Sequence, residues 1–402
     1  MGKTPPGNLE NHGGQRMTSA RVFDVRGRLV SAEHLVDDGV VSIAGSRIAA
    51  VRTFAEWRAD HPEAPEPVFQ GTVLPGLVDI HNHGGFGHRF DTVDAGEARA
   101  AAAFHHARGS TTVVASVVTG APADMVAQTA VLRGLADDGV IGGIHAEGPF
   151  LAVARCGAQD PRFLRDPDPR LTEQLIAAGG GHLRVMTIAP ELPGYPQVAE
   201  LLSEHGVVVA LGHTDSDFRA FREALRPSGF GSLVTHLANG MPTLHHRSAG
   251  PVAAALVAAA AGDAVVELIG DAVHVDAGFA AMAFAAAPGS VALVTDAMQA
   301  AGMPDGEYRL GPQSVRVVDG VARVPSGSIA GGTATLLRCV SWAVTECGVP
   351  LRAAVAAATA VPAAAAGLTD VGDLRTNQFA DLVIADDNLH LRRVLRRGQW
   401  LS

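Results

Sequence analysis

The chain has almost no lysine. Its sequence contains 31 basic residues, of which Lys3 alone is a lysine, and all the others are arginines. Schiff-base catalysis needs a lysine amine as its nucleophile. From residue 4 onward the sequence therefore excludes an enzyme that works through a covalent lysine intermediate.

Cysteine and aromatic residues are also scarce. The three cysteines, Cys156, Cys339 and Cys347, are too few and too scattered for a disulfide framework or a structural zinc site. Aromatic residues make up 5% of the chain and hydrophobic residues 47%, so the core must consist mostly of alanine, valine and leucine, as in a packed α/β protein. The net charge of −10 argues against nucleic acid or an anionic membrane as a partner.

The chain also lacks an apolar targeting or membrane-spanning segment. Residues 1–20 are polar and rich in glycine and proline, so we expect a disordered leader and not a signal peptide. The most apolar window, residues 251–270, is interrupted by Asp263 and Glu267 and is too short to span a bilayer. We therefore expect a cytoplasmic protein that does not bind membranes.

From residue 73 the sequence alternates between short apolar segments and alanine-rich segments with helical propensity. This alternation predicts parallel βα units. Eight such units fit a (β/α)8 TIM-like barrel better than an open doubly wound sheet, which usually has about six strands. Helices are predicted over residues 95–108, 122–135 and 171–178. The predicted strands cover residues 77–81, 112–118, 139–145, 184–188, 207–212, 233–236, 265–270 and 291–295.

Short strand-like segments occur at both ends of the chain. We predict that residues 21–72 and 368–402 together form one small β-sandwich domain, which flanks a barrel of residues 73–367. A hairpin with its turn at Asp319 and Gly320 is predicted near the end of the barrel region. The strand-like segments of the two ends cover residues 21–23, 40–44, 47–51, 380–384 and 392–395.

Histidines and carboxylates recur where the predicted barrel strands end. His81 and His83 lie two residues apart, so their side chains project to the same side of the first strand. A single histidine at a strand end is more often a hydrogen-bonded structural residue. Catalytic groups of barrels, however, stand at the C-terminal ends of strands, and six strands supply one there, which predicts a shared metal site. The other members of this set are Glu147, His213, His236, His274 and Asp296.

These side chains limit which metal can bind. Imidazoles with one or two carboxylates suit Zn²⁺ best, and also Fe²⁺, Mn²⁺ or Co²⁺, in an open catalytic site. Glu147, His213 and His236 form the three-ligand set of a catalytic zinc, whose Lewis acidity activates water and polarises a carbonyl. Asp296 is predicted to accept the proton of that water, or to act as a further ligand. One or two ions are expected, because His81 and His83 can complete a second position.

The motifs that carry these residues resemble those of a known family. The segment around His81 and His83 is similar to the first-strand signature of the amidohydrolase superfamily. The ordered set of motifs resembles the N-acetylglucosamine-6-phosphate deacetylase family and covers nearly the whole chain after residue 21. Many binuclear hydrolases of this architecture bridge two metals with a carbamylated lysine, which the lack of lysine excludes here. The motifs are Leu74-Pro75-Gly76-Leu77-Val78-Asp79-Ile80-His81-Asn82-His83, His145-Ala146-Glu147-Gly148-Pro149-Phe150, Leu211-Gly212-His213-Thr214 and Thr235-His236-Leu237-Ala238-Asn239-Gly240.

The resemblance implies metal-dependent deacetylation of N-acetyl-D-glucosamine 6-phosphate to D-glucosamine 6-phosphate and acetate. Asp296 would be the general base and acid, and His274 would contact the sugar or polarise the amide. The family's homodimers further imply that Arg247 can act across a subunit interface. The other substrate-binding residues that the resemblance implies are Ala158, Gln159, Ala238, Asn239 and Ile329.

The sequence also departs from the family pattern, which leaves alternatives open. Gln159 stands where the family often has a histidine, so a deacetylase of another N-acetylhexosamine phosphate, such as N-acetylgalactosamine 6-phosphate, is the nearest alternative. A base deaminase or cyclic-amide hydrolase is more distant, because Glu147 and Arg247 speak against it. A barrel retained only for binding is disfavoured by the presence of every proposed ligand.

Overall fold

The computed structural model describes Met1 and residues 22–226 and 230–401. The predicted leader, residues 1–20, lies outside these residues except for Met1. The strands are β1 (Val22–Val30), β2 (Leu35–Ala44), β3 (Arg47–Thr53), β4 (Phe69–Pro75), β5 (Val78–Asn82), β6 (Gly84–Gly85), β7 (His88–Arg89), β8 (Thr112–Val117), β9 (Gly143–Glu147), β10 (Leu183–Ile188), β11 (Val208–Leu211), β12 (Gly231–Val234), β13 (Val265–Ile269), β14 (Val291–Val294), β15 (Gly306–Leu310), β16 (Gln313–Val318), β17 (Val321–Arg323), β18 (Leu382–Ala385), β19 (Leu391–Arg396) and β20 (Gln399–Trp400). The helices are α1 (Phe54–Asp60), α2 (Ala95–Ala107), α3 (Pro122–Asp137), α4 (Pro169–Gly179), α5 (Tyr195–Glu204), α6 (Phe218–Ala224), α7 (Gly250–Ala260), α8 (Ala277–Ala286), α9 (Leu336–Thr345), α10 (Leu351–Ala357) and α11 (Ala360–Ala365).

Eight parallel strands form the barrel, in the order β5, β8, β9, β10, β11, β12, β13 and β14. A parallel bridge between Asn82, at the end of β5, and Ala297, which follows β14, closes the circle. The predicted barrel strands are confirmed to within a few residues, with the third beginning at Gly143 and not at residue 139. Strands such as β5 and β8 are buried along their whole length because one face points into the barrel and the other lies under the helices.

The predicted helices α2, α3 and α4 lie between successive barrel strands. Asp94 begins α2 by accepting the backbone N–H of Gly96 at 2.7 Å. Asp168 caps the start of α4, whose first residue is Pro169, and Gly180, with a φ of 55°, follows its last residue as the C-terminal cap. These are the residue types that helix starts and ends favour. Among the helices that the structure describes, none combines the length and the apolar character needed to traverse a bilayer.

Strands from both chain ends form a second sheet, in the order β20, β19, β18, β4, β1, β2 and β3. Leu382 of β18 lies opposite Pro75 of β4 in antiparallel register, which joins the C-terminal strands to the N-terminal ones. Val25 and Ile43 pack with Leu382 in its core. Only two residues separate β4 from β5, so this sheet lies at the N-terminal end of the barrel strands. The division of the chain at residues 72 and 368 stays a prediction.

A three-stranded antiparallel sheet, β15–β16–β17, follows the last barrel strand. The predicted hairpin is its second half, and its turn residues Asp319 and Gly320 have φ angles of 52° and 75°, as a type I′ turn requires. The sequence does not predict β15. Leu310 and Val315 pack with Val118, which follows β8, and this contact holds the small sheet over the C-terminal end of the barrel.

Candidate metal centre and active site

Four predicted site residues stand at the C-terminal ends of barrel strands. Glu147 is the last residue of β9. His213, His236 and Asp296 each lie two residues beyond a strand, and their φ angles are 47°, 26° and 46°. A positive φ costs a non-glycine residue about 1–3 kcal/mol, and such strain clusters at functional sites. Three strand ends therefore share one strained backbone conformation that presents a polar side chain.

Glu147, His213 and His236 form a compact triangle of ligand atoms. Glu147 Oε1 lies 2.9 Å from His236 Nε2 and 3.1 Å from His213 Nε2, and the two nitrogens are 3.1 Å apart. All three residues are buried, with at most 5% of their surface exposed. Two imidazole nitrogens and one carboxylate oxygen are the protein ligands of many catalytic zinc sites.

A second group of possible ligands shares Glu147 with the first. His81 Nε2 and His83 Nε2 are 3.2 Å apart, and His83 Nε2 lies 3.3 Å from Glu147 Oε2. Asp296 Oδ1 lies 3.4 Å from His81 Nε2 and 3.1 Å from His83 Nε2. The carboxylate of Glu147 thus stands between two pairs of histidines. This geometry offers positions for one or two metal ions.

Hydrogen bonds on the far side of the rings orient two of these histidines. His213 Nδ1 donates to the carbonyl of Arg155 at 2.8 Å, which leaves Nε2 of the neutral ring without a proton. His81 Nδ1 donates at 3.0 Å to Glu267 Oε2. The same carboxylate oxygen accepts the backbone N–H of His236 at 3.1 Å. Such outer hydrogen bonds are typical of metal-binding histidines because they fix the tautomer and the ring position.

The buried charges of the site shift the pKa values of one another. Burial alone would lower the pKa of His81 and of His83, but nearby carboxylates raise it well above its usual range for His81 and to about 9 for His83. Burial would raise the pKa of Asp296, but these two histidines lower it to about 2. Burial would also raise the pKa of Glu147, but the surrounding histidines hold it well below its usual value. Both acids are therefore ionised and need a compensating positive charge.

The ligand atoms fit a divalent metal ion. With a neutral His213 ring, whose proton is on Nδ1, the lone pair of Nε2 faces the carboxylate Oε1 of Glu147 at 3.1 Å, and the two repel. A cation held by Glu147, His213 and His236 would replace this repulsion with attraction and would displace the protons that the carboxylates otherwise hold on the imidazoles. Nitrogen donors also favour a transition metal over Ca²⁺ or Mg²⁺.

Gln159 is fixed against Glu147. Its Nε2 donates to Glu147 Oε2 at 2.6 Å, and its Oε1 accepts the backbone N–H of Thr119 at 2.9 Å. The residue is only 5% exposed. The side chain therefore orients Glu147 in addition to lining the cavity in which a substrate contact was expected.

The ligand groups line a cavity of about 230 Å³. His274 reaches it with Nδ1 donating to Asp271 Oδ2 at 2.7 Å. Ala238, with a φ of 75°, does not line this cavity, and neither does Arg247, which lies on an exposed loop with a guanidinium nitrogen 2.7 Å from His246 Nε2. The predicted substrate residues that do line the cavity are Ala158, Gln159, Asn239, His274 and Ile329.

Two further buried polar residues belong to the site. In the sequence Glu267 is only a charge within an apolar segment, yet it orients His81 from the middle of β13. Because a buried charge must be paired, a single acid in an apolar strand indicates a buried polar partner, and this signal could have identified Glu267. His145 packs edge-on against His81 at 4.6 Å between ring centres and contacts Thr187 Oγ1 at 2.8 Å.

Known proteins show where this architecture belongs. A sequence model of the amidohydrolase family matches residues 72–401. The chain belongs to the amidohydrolase family. This hydrolase is 31% identical to the N-acetylglucosamine-6-phosphate deacetylase of Vibrio furnissii, over 92% of this chain and 93% of the relative. It is 35% identical to an N-acetylgalactosamine-6-phosphate deacetylase of Escherichia coli, over 93% of this chain and 98% of the relative.

A solved structure is similar over the same length. An aspartate-to-alanine mutant of N-acetyl-D-glucosamine-6-phosphate deacetylase of Mycobacterium smegmatis, in complex with N-acetyl-D-glucosamine-6-phosphate, superimposes on this amidohydrolase with a TM-score of 0.89 and 38% identity. The match covers 94% of this chain and 99% of the other. The resemblance inferred from the motifs is therefore confirmed, and so is the barrel with an additional sheet from both termini.

Proposed function

We propose that this enzyme hydrolyses the amide bond of N-acetyl-D-glucosamine 6-phosphate, giving D-glucosamine 6-phosphate and acetate in amino-sugar catabolism and cell-wall amino-sugar recycling. The observation that carries the proposal is the triangle of Glu147, His213 and His236 ligand atoms beside Asp296 in one cavity. The activities named for its relatives support the choice of substrate.

In this proposal Glu147, His213 and His236 hold one Zn²⁺, and His81 and His83 provide for a second ion together with Asp296. The donor set supports Zn²⁺ first, with Fe²⁺, Mn²⁺ and Co²⁺ as the other ions that suit it. The bound ion supplies Lewis acidity, which activates water and polarises the amide carbonyl.

Asp296 is the proposed general base and acid. Its carboxylate takes a proton from the attacking water and returns it to the leaving amine. His274 is proposed to contact the sugar or to polarise the amide, and its bond to Asp271 leaves Nε2 as the ring nitrogen available for this contact. The two side chains line the same cavity, which supports this division of roles.

The remaining predicted residues bind the substrate. The backbone amides of Ala238 and Asn239 are proposed to hold the 6-phosphate, while Ala158 and Ile329 contact the sugar. Arg247 lies outside the cavity of its own subunit, and on the family resemblance we propose that it contributes to the phosphate site of a partner subunit. We therefore propose a cytoplasmic homodimer that acts on a small phosphorylated amino sugar.

Acetate release tests the proposal. The apo-protein is reconstituted with each metal in turn and given N-acetylglucosamine 6-phosphate, and we expect turnover that a chelator abolishes and Zn²⁺ restores. Asp296→Asn should release far less acetate, and Asp387→Asn, which changes an exposed acid, is the matched control. Absence of acetate release with every metal tested would contradict the proposal.

N-acetylgalactosamine 6-phosphate is the second candidate substrate. It is favoured by the relative that is named for this epimer and is 35% identical. Measuring kcat/KM on both epimers separates the two, because the substrate with the higher value is the one for which the cavity is built. Dimerisation is tested separately by light scattering.

A further inference from the structure

A second cavity lies at the opposite end of the barrel from the metal centre. Its volume is about 240 Å³, and it lies between the N-terminal ends of β8, β9 and β10 and the terminal sheet. Gly143 and Glu147 are the first and last residues of β9. At a rise of about 3.3 Å per residue, four steps separate the two ends of this strand by roughly 13 Å.

Three arginines line this cavity from two parts of the fold. Arg184 comes from the start of β10 in the barrel, whereas Arg396 and Arg397 come from the end of β19 in the terminal sheet. Within residues 22–226 and 230–401, none of these three guanidinium groups has a carboxylate oxygen within the 4.0 Å of an ion pair. This is unusual for a chain whose net charge is −10.

The acids around the cavity are engaged elsewhere. Asp370 forms an ion pair with Arg47 at 3.3 Å. Asp381 is buried, and its Oδ1 accepts the backbone N–H of Arg397 at 2.6 Å. His182, also on the cavity wall, contacts Asp137 at 2.9 Å. Two acids, Asp370 and Asp381, thus stand against three arginines on the cavity wall, and the cavity keeps a net positive charge.

The backbone around the cavity holds two of these arginines in place. Arg396 donates from Nε to Thr111 O at 2.9 Å and from a terminal nitrogen to Gly139 O at 2.8 Å. The stem of Arg184 crosses Gly143, where a Cβ atom would leave it no room. Arg184 Nε is buried and has no hydrogen-bond partner. A guanidinium on a cavity wall without a carboxylate partner can be balanced by an anion that the protein itself does not provide.

The three guanidinium groups indicate which kind of anion the cavity binds. Guanidinium groups bind phosphate oxygens through paired, charge-assisted hydrogen bonds. We propose that this cavity binds a phosphate group, either as inorganic phosphate or as the end of a small phosphomonoester, between Arg184 of the barrel and Arg396 and Arg397 of the terminal sheet.

Binding at this position connects the barrel to the terminal sheet. A ligand that binds only the folded protein raises its stability in proportion to the logarithm of its concentration. We therefore expect phosphate to raise the melting temperature of the full chain. This site is independent of the proposed deacetylase reaction, because the metal centre lies at the other end of the strands.

Thermal unfolding of the full chain with increasing inorganic phosphate tests the proposal. We expect phosphate to raise the Tm of the wild type and of the control Arg170→Gln, which changes an exposed arginine of α4. In Arg184→Gln and in Arg397→Gln the apparent affinity for phosphate should fall roughly tenfold or more, because each loses a charged hydrogen-bond donor. Arg397→Gln keeps the test valid if Arg184→Gln does not fold.

Crystals soaked in tungstate give the position of the anion. We expect an anomalous peak between Arg184 and Arg397. Glucosamine 6-phosphate and inorganic phosphate are compared in the thermal assay on both the wild type and Arg184→Gln, because binding at the metal centre is common to both proteins and only the difference between them reports on this cavity. The proposal is overturned if tungstate binds elsewhere but not in this cavity. It is equally overturned if both arginine variants respond to phosphate as the wild type does.

Discussion

Gln159 donates a hydrogen bond from its Nε2 to Oε2 of Glu147 at 2.6 Å. Oε1 of the same carboxylate is the atom nearest to His213 and His236. Gln159 therefore determines which oxygen faces the histidine pair. The oxygen that accepts this hydrogen bond also lies 3.3 Å from His83 Nε2, so Gln159 orients Glu147 toward both groups of possible ligands.

Gln159→Leu should lower metal affinity or kcat/KM by about 10- to 100-fold, as the loss of other outer-shell partners of metal ligands does. The physical reason is that Glu147 loses the contact that holds its carboxylate in one rotamer. Metal content after dialysis and kcat/KM for acetate release measure the two effects. Gln197→Leu, an exposed substitution on α5, is the control, and equal behaviour of the two variants would show that the contact does not orient Glu147.

Asp296→Asn should lower kcat by about 10²- to 10⁴-fold, the contribution of a positioned general base. Asparagine tolerates the left-handed backbone at this position, where φ is 46°, so the fold should be kept. Acetate release at saturating substrate measures the effect, and metal content shows whether ligands are lost as well. Asp387→Asn at an exposed position should retain full activity. A kcat within a few-fold of wild type in Asp296→Asn would exclude the proposed role.

Glu267→Gln should weaken metal binding by about 10- to 100-fold without removing the triangle of ligands. One oxygen of Glu267 accepts hydrogen bonds from His81 Nδ1 and from the backbone N–H of His236. An amide carries no charge to hold the His81 ring and presents a donor on one side. Competition with a chelator measures the affinity, and an unchanged metal affinity would show that the outer hydrogen bond to His81 has no effect on the site.

Asp91 predicts a pH dependence of stability. Burial raises the pKa of Asp91 from 3.8 to about 6. The folded state binds the proton of Asp91 more tightly than the unfolded chain does, so ionisation of Asp91 destabilises the folded protein. This destabilisation is small below about pH 4 and complete above about pH 6. The difference in unfolding free energy between the wild type and Asp91→Asn should therefore change by roughly 2 kcal/mol between about pH 4.5 and about pH 7.5. The wild type loses stability relative to the variant as the pH rises.

Denaturant unfolding of the wild type and Asp91→Asn at both pH values measures this change. Taking the difference between the two proteins cancels the titration of all other groups that the substitution leaves undisturbed. Asp387→Asn provides the exposed comparison. A constant free-energy difference between wild type and Asp91→Asn at the two pH values would contradict the prediction.

The barrel was predictable because its strands are apolar on both faces and are separated by helix caps and glycines. The sequence predicts the start of β9 four residues too early, at residue 139 and not at Gly143. Val140 and Ile141 are apolar like strand residues, but they lie in the turn after α3. Strand β15 is not predicted because it is only five residues long and Leu310 is its one buried residue, while Glu307 and Arg309 occupy its exposed positions. Short edge strands carry little pattern of their own.

The site was predictable only in part, for a physical reason. The histidines at strand ends can be predicted from their positions in the sequence, because all parallel strands of a barrel end on the same side of it. Contacts such as Gln159 with Glu147, or Glu267 with His81, depend on how a loop and a neighbouring strand fold back in space. Arg247 remains a sequence-based proposal, because the cavity of its own subunit does not include it.

The left-handed backbone shared by His213, His236 and Asp296 bears on how this protein can evolve. Glycine, asparagine, aspartate and histidine adopt that conformation more readily than other residues do. A descendant that abandoned hydrolysis would still select from these few residue types at the three strand ends. The backbone therefore restricts substitution at these three positions, whether or not the protein still uses the metal centre.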